Sequence, residues 1–255
     1  AGLRTWNKSN PFPEEINRQL TSRLTDFHFA PTEWARKNLL SEGIPPGTIF
    51  VTGNTVIDSL LLTAKENYQF TNQKLQELDF NNKKVMLLTS HRRENFGDPM
   101  REVFLACREI VKKNPDVELV YPVHPNPNVQ KAAHEIFGNV PRVHLVEPLD
   151  YRQFVHLMKR CYLILTDSGG VQEEAPSLGK PVLVLRSTTE RPEAIEAGTA
   201  MLVGTSGETI VKQTQSLLDD KAVYARMASN VNPYGDGKAG ERIVNIVLNA
   251  LSTER

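Results

Sequence analysis

Between residues 84 and 230 the sequence repeats one device, a short apolar run followed by a helix-length amphipathic segment. The runs are KVMLLTS (84–90), VELVYPVH (117–124), RVHLVEP (142–148), YLILTDS (162–168), PVLVLR (181–186) and AMLVG (200–204). They are rich in Val, Leu and Ile and too short for helices, so they read as buried strands. Between them, 98–113 places Val103, Phe104, Cys107, Ile110 and Val111 on one helical face. Segments 127–137, 150–160, 170–178 and 207–219 show the same three- and four-residue apolar spacing. Strand then helix, repeated, predicts an α/β fold: a Rossmann-like, doubly wound parallel sheet covered by helices on both faces. Several strands end in a polar residue or glycine just before the next helix, at the carboxyl edge where open parallel sheets bind ligands.

Residues 1–67 have another texture. EEINRQLTSRLTDF and TEWARKNLLSEG read as helices, with only HFA and TIFVTG as strand candidates. Asn81-Asn82-Lys83-Lys84 marks a boundary, and a last helix over 237–252 follows the turn-rich NPYGDG. The predicted division is therefore 1–80, 81–235 and 236–255. A chain of 255 residues, 40% hydrophobic, can bury one large core or two small ones. Thirty basic and thirty acidic residues leave no global field for nucleic acid or an anionic membrane, so any anion site must be local. Cys107 and Cys161 lack metal or disulfide spacing, which suits a reducing compartment. No run is long enough to span a bilayer and AGLRTWNKSN has no signal-peptide core, so a cytoplasmic protein is expected.

The stretch LTDSGGVQEEAPSLGKPVLVLRSTTERPE (165–193) is the densest chemical signal. A strand ending in LTDS before Gly169-Gly170 and a helix sets the Ser168 hydroxyl and the two glycine amides at a helix start, where free N–H groups favour phosphate. Glycine also admits a ligand close to the backbone. Glu173 and Glu174 read as acids of the first turn or so, favoured by the helix dipole. Glu174, near the same rim, can accept from the two hydroxyls of a ribose. SGG before a helix is a weak signal alone. Joined to Lys180-Pro181 and to Thr188, Thr189, Glu190 and Arg191 it becomes strong. In TSHRREN, His91 follows a strand directly and can reach a phosphate or carry a proton. Arg92 and Arg93 add charge, with Glu94 as their expected partner. His124 occupies the matching edge of the next strand. His28, His134, His144 and His156 have no such placement and read as surface or core residues. Glu14, Glu15 and Arg18 follow Pro11-Phe12-Pro13, where acids suit the first turn of a helix.

Taken in order, AGLRTWNKSNPFPEEINRQ, FVTGNTVID, TSHRREN, YPVHPNPNV, the stretch from Leu165 and NPYGDG resemble the non-hydrolysing UDP-N-acetylglucosamine 2-epimerases essentially end to end. The resemblance implies two Rossmann-like domains of the glycosyltransferase-like (GT-B) kind with substrate in the cleft. On that reading, 1–80 is the end of an N-terminal domain, 81–235 the UDP-binding domain, and 236–255 a helix returning to the first domain. It implies interconversion of UDP-GlcNAc and UDP-ManNAc, by elimination of UDP to 2-acetamidoglucal and re-addition, with no cofactor and no metal. The product would feed polysaccharide biosynthesis.

Site residues carried over by motif are His91 and Glu14 as catalytic groups, with Arg18, Phe154, Ser168, Gly169, Gly170, Glu174 and Arg191 binding UDP. The same match assigns Arg92 and His124 to a regulatory UDP-GlcNAc site. Without the resemblance Phe154 reads as a core aromatic. The family's N-terminal phosphate loop, an upstream aspartate and the glutamate before AGLRT have no counterpart here. The chain is therefore expected to be N-terminally truncated and inactive alone, and a homodimer when full length. Two alternatives share the motifs in part: a UDP-sugar-dependent glycosyltransferase of the same fold and a non-catalytic UDP-sugar-binding module.

Overall fold

A computed structural model describes residues 1–65, 67–229 and 231–253. The chain divides into two compact units. The smaller comprises Ala1–Leu62, Glu190–Glu193 and Asn232–Arg255, and the larger Thr63–Thr189 and Ala194–Val231.

In the smaller unit α1 (Glu14–Leu24), β1 (His28–Ala30), α2 (Glu33–Ser41), β2 (Ile49–Val51) and α3 (Thr55–Ala64) follow one another. The two strands pair in parallel, His28 opposite Ile49, over a small core of Ala30, Ala35, Leu39, Ile44 and Ile49. Thr32 caps α2 by accepting from the Ala35 amide. The NPYGDG turn is more than a change of direction. Asn54 N–H donates to the Tyr234 carbonyl at 2.7 Å, and a Cβ on Gly53, whose φ is +85°, would lie 3.3 Å from the Gly235 Cα. Two glycines thus let two backbone segments meet where side chains would hold them apart.

The larger unit holds α4 (Gln73–Gln76), β3 (Lys84–Thr89), α5 (Asp98–Lys113), β4 (Val117–Pro122), α6 (Pro127–Phe137), β5 (Val143–Val146), α7 (Tyr151–Arg160), β6 (Leu163–Thr166) and α8 (Gly169–Glu174). It continues through β7 (Val182–Val184), α9 (Pro192–Glu196, whose first residues belong to the smaller unit), β8 (Ala200–Leu202), α10 (Gly207–Asp219) and α11 (Lys221–Ser229), and the last described element, α12 (Ala239–Thr253), belongs to the smaller unit. Asp58 accepts from the amides of Ala239 and Gly240 and so caps α12 within the smaller unit.

The expected sheet is present, six parallel strands in the order β5-β4-β3-β6-β7-β8. The central strands are buried on both faces, as in β6 and β7, where every residue is buried, whereas the outer strands β5 and β8 are only partly covered. On α5 the buried set Met100, Val103, Phe104, Cys107, Ile110 and Val111 keeps the helical spacing read from the sequence. Phe104 packs its ring against Tyr121 and Phe137 at 5.3 and 5.1 Å between centroids. The strand order reverses between β3 and β6: from β3 the chain runs outward through β4 and β5, returns beside β3 as β6, and runs outward the other way. That reversal leaves a crevice at the carboxyl ends of β3 and β6.

Two local expectations change. The helix drawn over 170–178 is six residues of α-helix followed by a 3-10 turn over Ala175–Leu178, because Pro176 has no N–H to continue the ladder. The helices α3, α4, α9 and α11 were not read from the sequence.

Candidate functional site

His91 and Ser168 each lie two residues past the ends of β3 and β6, the strands that flank the reversal. With His124, Phe154 and Glu174 they line one pocket of about 350 Å³, within the usual range for small-ligand sites. Its walls come from three strand ends and one helix: Thr89 closing β3 and Ser90 after it, Pro122 and Pro125 around the end of β4, Pro148 and Leu149 after β5, and Val171 on α8. Volume alone does not select it. A wider hollow of about 670 Å³ between α5 and α10 is lined by charged and aliphatic side chains with no such convergence.

Ser168 is half-buried, Gly169 buried and Gly170 exposed. A Cβ on Gly170 would point between the Ser168 hydroxyl, 3.9 Å away, and Glu174 Oε2, at 3.7 Å. The protein tolerates a side chain there, so the space it would fill is open to a ligand. Because α8 is six residues long, binding at its start draws on local N–H groups more than on a long dipole.

Glu173 and Glu174 are not first-turn acids, since α8 begins at Gly169 and puts them at its far end, both buried. Glu174 Oε1 accepts from the Tyr151 hydroxyl at 2.8 Å. Burial raises the Glu174 pKa, the Tyr151 hydrogen bond opposes that, and the Glu173 charge adds to it. Tyr151 was not singled out in the sequence. Phe154, half-buried on α7, lies in the pocket wall rather than in the core.

The loop after β3 is organised by Asp167, which also escaped the sequence reading. Its side chain is fully buried. Oδ2 accepts from the backbone amides of His91 (2.8 Å) and Arg92 (2.9 Å), from Ser90 Oγ (3.2 Å) and from Asn95 Nδ2 (3.4 Å). The His91 ring lies nearly parallel to that of His124, centroids 5.5 Å apart. Burial lowers the His91 pKa, Asp167 opposes this, and His124 and Arg92 reinforce it. Arg92 donates its Nε to the Asp167 carbonyl. Glu94 does not temper the adjacent arginines as expected. It binds Arg186, whose Nε is 2.8 Å from Glu94 Oε1, because Arg186 is buried and needs a counter-charge.

Glu14, Arg18 and Arg191 belong to the smaller unit. Glu14 is exposed. Glu15 lies in the first turn of α1, as read from the sequence, and is also fully buried, accepting from the amides of Thr5 and Trp6 and from Gln19. Arg18 lies 3.7 Å from Glu190 and 3.9 Å from Glu15, and Arg191 pairs with Glu190. Of the histidines set aside, His28 and His156 are buried and His144 pairs with Glu118. Both cysteines are free and buried, which pushes their thiols up to about 12. Among the described residues no group of three or more His, Cys, Asp or Glu is placed to hold a metal, and no helix is long and apolar enough to cross a membrane.

A family model described as UDP-N-acetylglucosamine 2-epimerase matches residues 1–248. The UDP-N-acetylglucosamine 2-epimerase of Bacillus subtilis is 54% identical over 248 residues, covering 97% of this chain and 64% of that protein. The chain thus spans just under two thirds of that relative's length. Among solved structures, the S. aureus MnaA–UDP co-structure is 49% identical with a TM-score of 0.94, covering 99% of this chain and 68% of that one. The UDP-GlcNAc 2-epimerase from Neisseria meningitidis bound to UDP-GlcNAc is 48% identical with a TM-score of 0.93, covering 98% and 68%.

Proposed function

The chain belongs to the UDP-N-acetylglucosamine 2-epimerase family, and from that premise we propose that the protein interconverts UDP-GlcNAc and UDP-ManNAc, with UDP held in the pocket of the larger unit. The observation that carries the reading is the convergence of His91, Phe154, Ser168 and Glu174 on one pocket where the strand order reverses. Each offers what a nucleoside diphosphate needs. The Ser168 hydroxyl and the amides of Gly169 and Gly170 would meet the phosphates, and the Phe154 ring would lie against uracil. Glu174 would accept from the ribose hydroxyls. Tyr151 engages only Oε1, so Oε2, which faces the Gly170 space, is the oxygen turned to a ligand.

The chemistry removes the proton at C2 while the C1–O bond to UDP breaks, leaving 2-acetamidoglucal and enzyme-held UDP. Returning a proton to the opposite face of C2 as UDP re-adds inverts the centre. His91, kept neutral by burial, suits the transfer of such a proton. Arg92 and the exposed His124, on neighbouring loops, would meet a second, regulatory nucleotide sugar.

Calorimetry with UDP tests the site. Glu174→Ala should weaken binding by about 1–3 kcal/mol through lost charge-assisted hydrogen bonds. Gly170→Ala should weaken it without lowering stability, since its Cβ meets protein atoms only at ordinary contact distance. Unchanged affinity in both variants would remove this pocket from the UDP site. For the reaction, a full-length epimerase carrying this chain should convert UDP-GlcNAc in D2O to UDP-ManNAc carrying deuterium at C2. Sugar transfer to an acceptor without exchange at C2 would favour a glycosyltransferase instead.

A further inference from the structure

Asp167 closes β6 with a fully buried carboxylate that the proposed chemistry leaves without a task. Its two oxygens stand in different surroundings. Oδ2 takes four donors from the loop after β3. Oδ1 accepts no hydrogen bond among the described residues and lies 3.3 Å from Nδ1 of His91. A buried carboxylate oxygen without a donor is costly, and two lone pairs facing each other at that distance repel. The His91 tautomer carrying its hydrogen on Nδ1 removes both penalties, and small adjustment of a loop-borne ring closes the bond.

We propose that Asp167 is a positioning residue for His91, fixing the Nδ1–H tautomer so that Nε2 becomes the proton-accepting atom of the ring. The backbone supports this, because the oxygen that holds the His91 and Arg92 amides belongs to the carboxylate that meets the imidazole. Loop position and tautomer are therefore set by one group. Stacking on His124 orients the ring plane but leaves its tautomer undecided. The titratable and charged groups facing the ring are Asp167, His124 and Arg92. The pairing stands on geometry, and only its catalytic consequence rests on His91 being the proton carrier under Proposed function.

Asp167→Asn separates the two tasks. Its amide oxygen must take the Oδ2 position, where two backbone amides need an acceptor. The NH2 group then takes the Oδ1 position and points a donor at Nδ1, which forces the hydrogen to Nε2. The chain with 15N-labelled imidazoles, observed above pH 7.5 by long-range 1H–15N correlation, reports the tautomer directly, and the His91 signal is identified by its loss in His91→Gln. The wild type should show Nδ1–H and Asp167→Asn should show Nε2–H, with a lower His91 titration midpoint because a negative charge has gone. An Nε2–H tautomer in the wild type, or no exchange in the variant, overturns the proposal. The wild-type measurement needs no variant, so a misfolded Asp167→Asn leaves the test standing. In the protein assayed for epimerisation, Asp167→Asn should lower kcat by about 10²-fold or more with KM little changed. Unchanged kcat beside the exchanged tautomer would uphold the pairing and overturn the proton-carrying role of His91.

Discussion

A fully buried carboxylate pins a loop in each unit, Glu15 in the smaller and Asp167 in the larger. Both accept from two successive backbone amides, Thr5 and Trp6 in one case and His91 and Arg92 in the other, and both add a side-chain amide, Gln19 or Asn95. They differ in how the oxygens share the work. Glu15 spreads the two amides over both oxygens, with Arg18 at 3.9 Å from Oε2. Asp167 loads every donor onto Oδ2 and turns Oδ1 toward an imidazole. A guanidinium keeps its charge at every physiological pH, whereas an imidazole changes tautomer and charge. The same device is therefore fixed in one unit and adjustable in the other, and the adjustable copy lies at the candidate site.

Removing each carboxylate gives the largest effects. Asp167→Ala strands four donors, two of them backbone amides, and should destabilise the larger unit by about 3–5 kcal/mol. Glu15→Ala strands three, beside an Arg18 that is partly exposed and can turn to water, and should cost about 2–3 kcal/mol. Urea unfolding followed by hydrogen exchange in each unit measures both. A loss for Asp167→Ala no larger than for Glu15→Ala would break the ranking.

Amide substitutions sharpen the contrast, with smaller effects. In Asp167→Asn the single loaded oxygen is retained, so stability should change by less than about 1 kcal/mol. In Glu15→Gln one loaded oxygen becomes a donor facing another donor, costing about 1–3 kcal/mol. Equal melting shifts for the two variants would show that the oxygens share their donors more evenly than the distances indicate.

These two residues also mark where the sequence could be read and where it could not. The sheet was legible because parallel strands buried on both faces become uninterrupted apolar runs, as in YLILTDS. The helix α5 was legible because its apolar residues recur on one face. By contrast α11 buries only Met227, which leaves no stripe to detect. In the smaller unit the core is a handful of Ala, Leu and Ile, and much of what is buried is polar. Ser168 was visible because glycines follow it, and His91 because a strand precedes it. Asp167 sits beside Ser168 in the same motif, but its partners lie 72 to 77 positions away, so nothing local reveals its task. Glu173 and Glu174 follow the glycines so closely that they read as acids of the first turn, but α8 starts at Gly169 and lasts only six residues, which puts both at its far end.

The smallest expected effect is a dependence on pH. The His91 pKa in the folded chain lies below the usual value of 6.5, burial being the foremost cause. Below that value the unfolded state binds more protons at this residue than the folded state, so stability rises with pH through the window. The contribution is fully present above about pH 6.5 and is lost as pH falls toward the folded-state pKa. The smaller unit is not silent either, because burial lowers the pKa of His28 as well. Bulk unfolding therefore mixes the two units. Subtracting the His91→Gln profile from the wild type between pH 5.5 and 7.5 isolates the larger unit, and the difference should grow as pH falls. Asp167→Asn should show a steeper acid loss than the wild type, since the carboxylate that favours the imidazolium is gone. A flatter profile in that variant would mean that Asp167 does not act on the ring through its charge, and the two buried carboxylates would then be fixed devices alike.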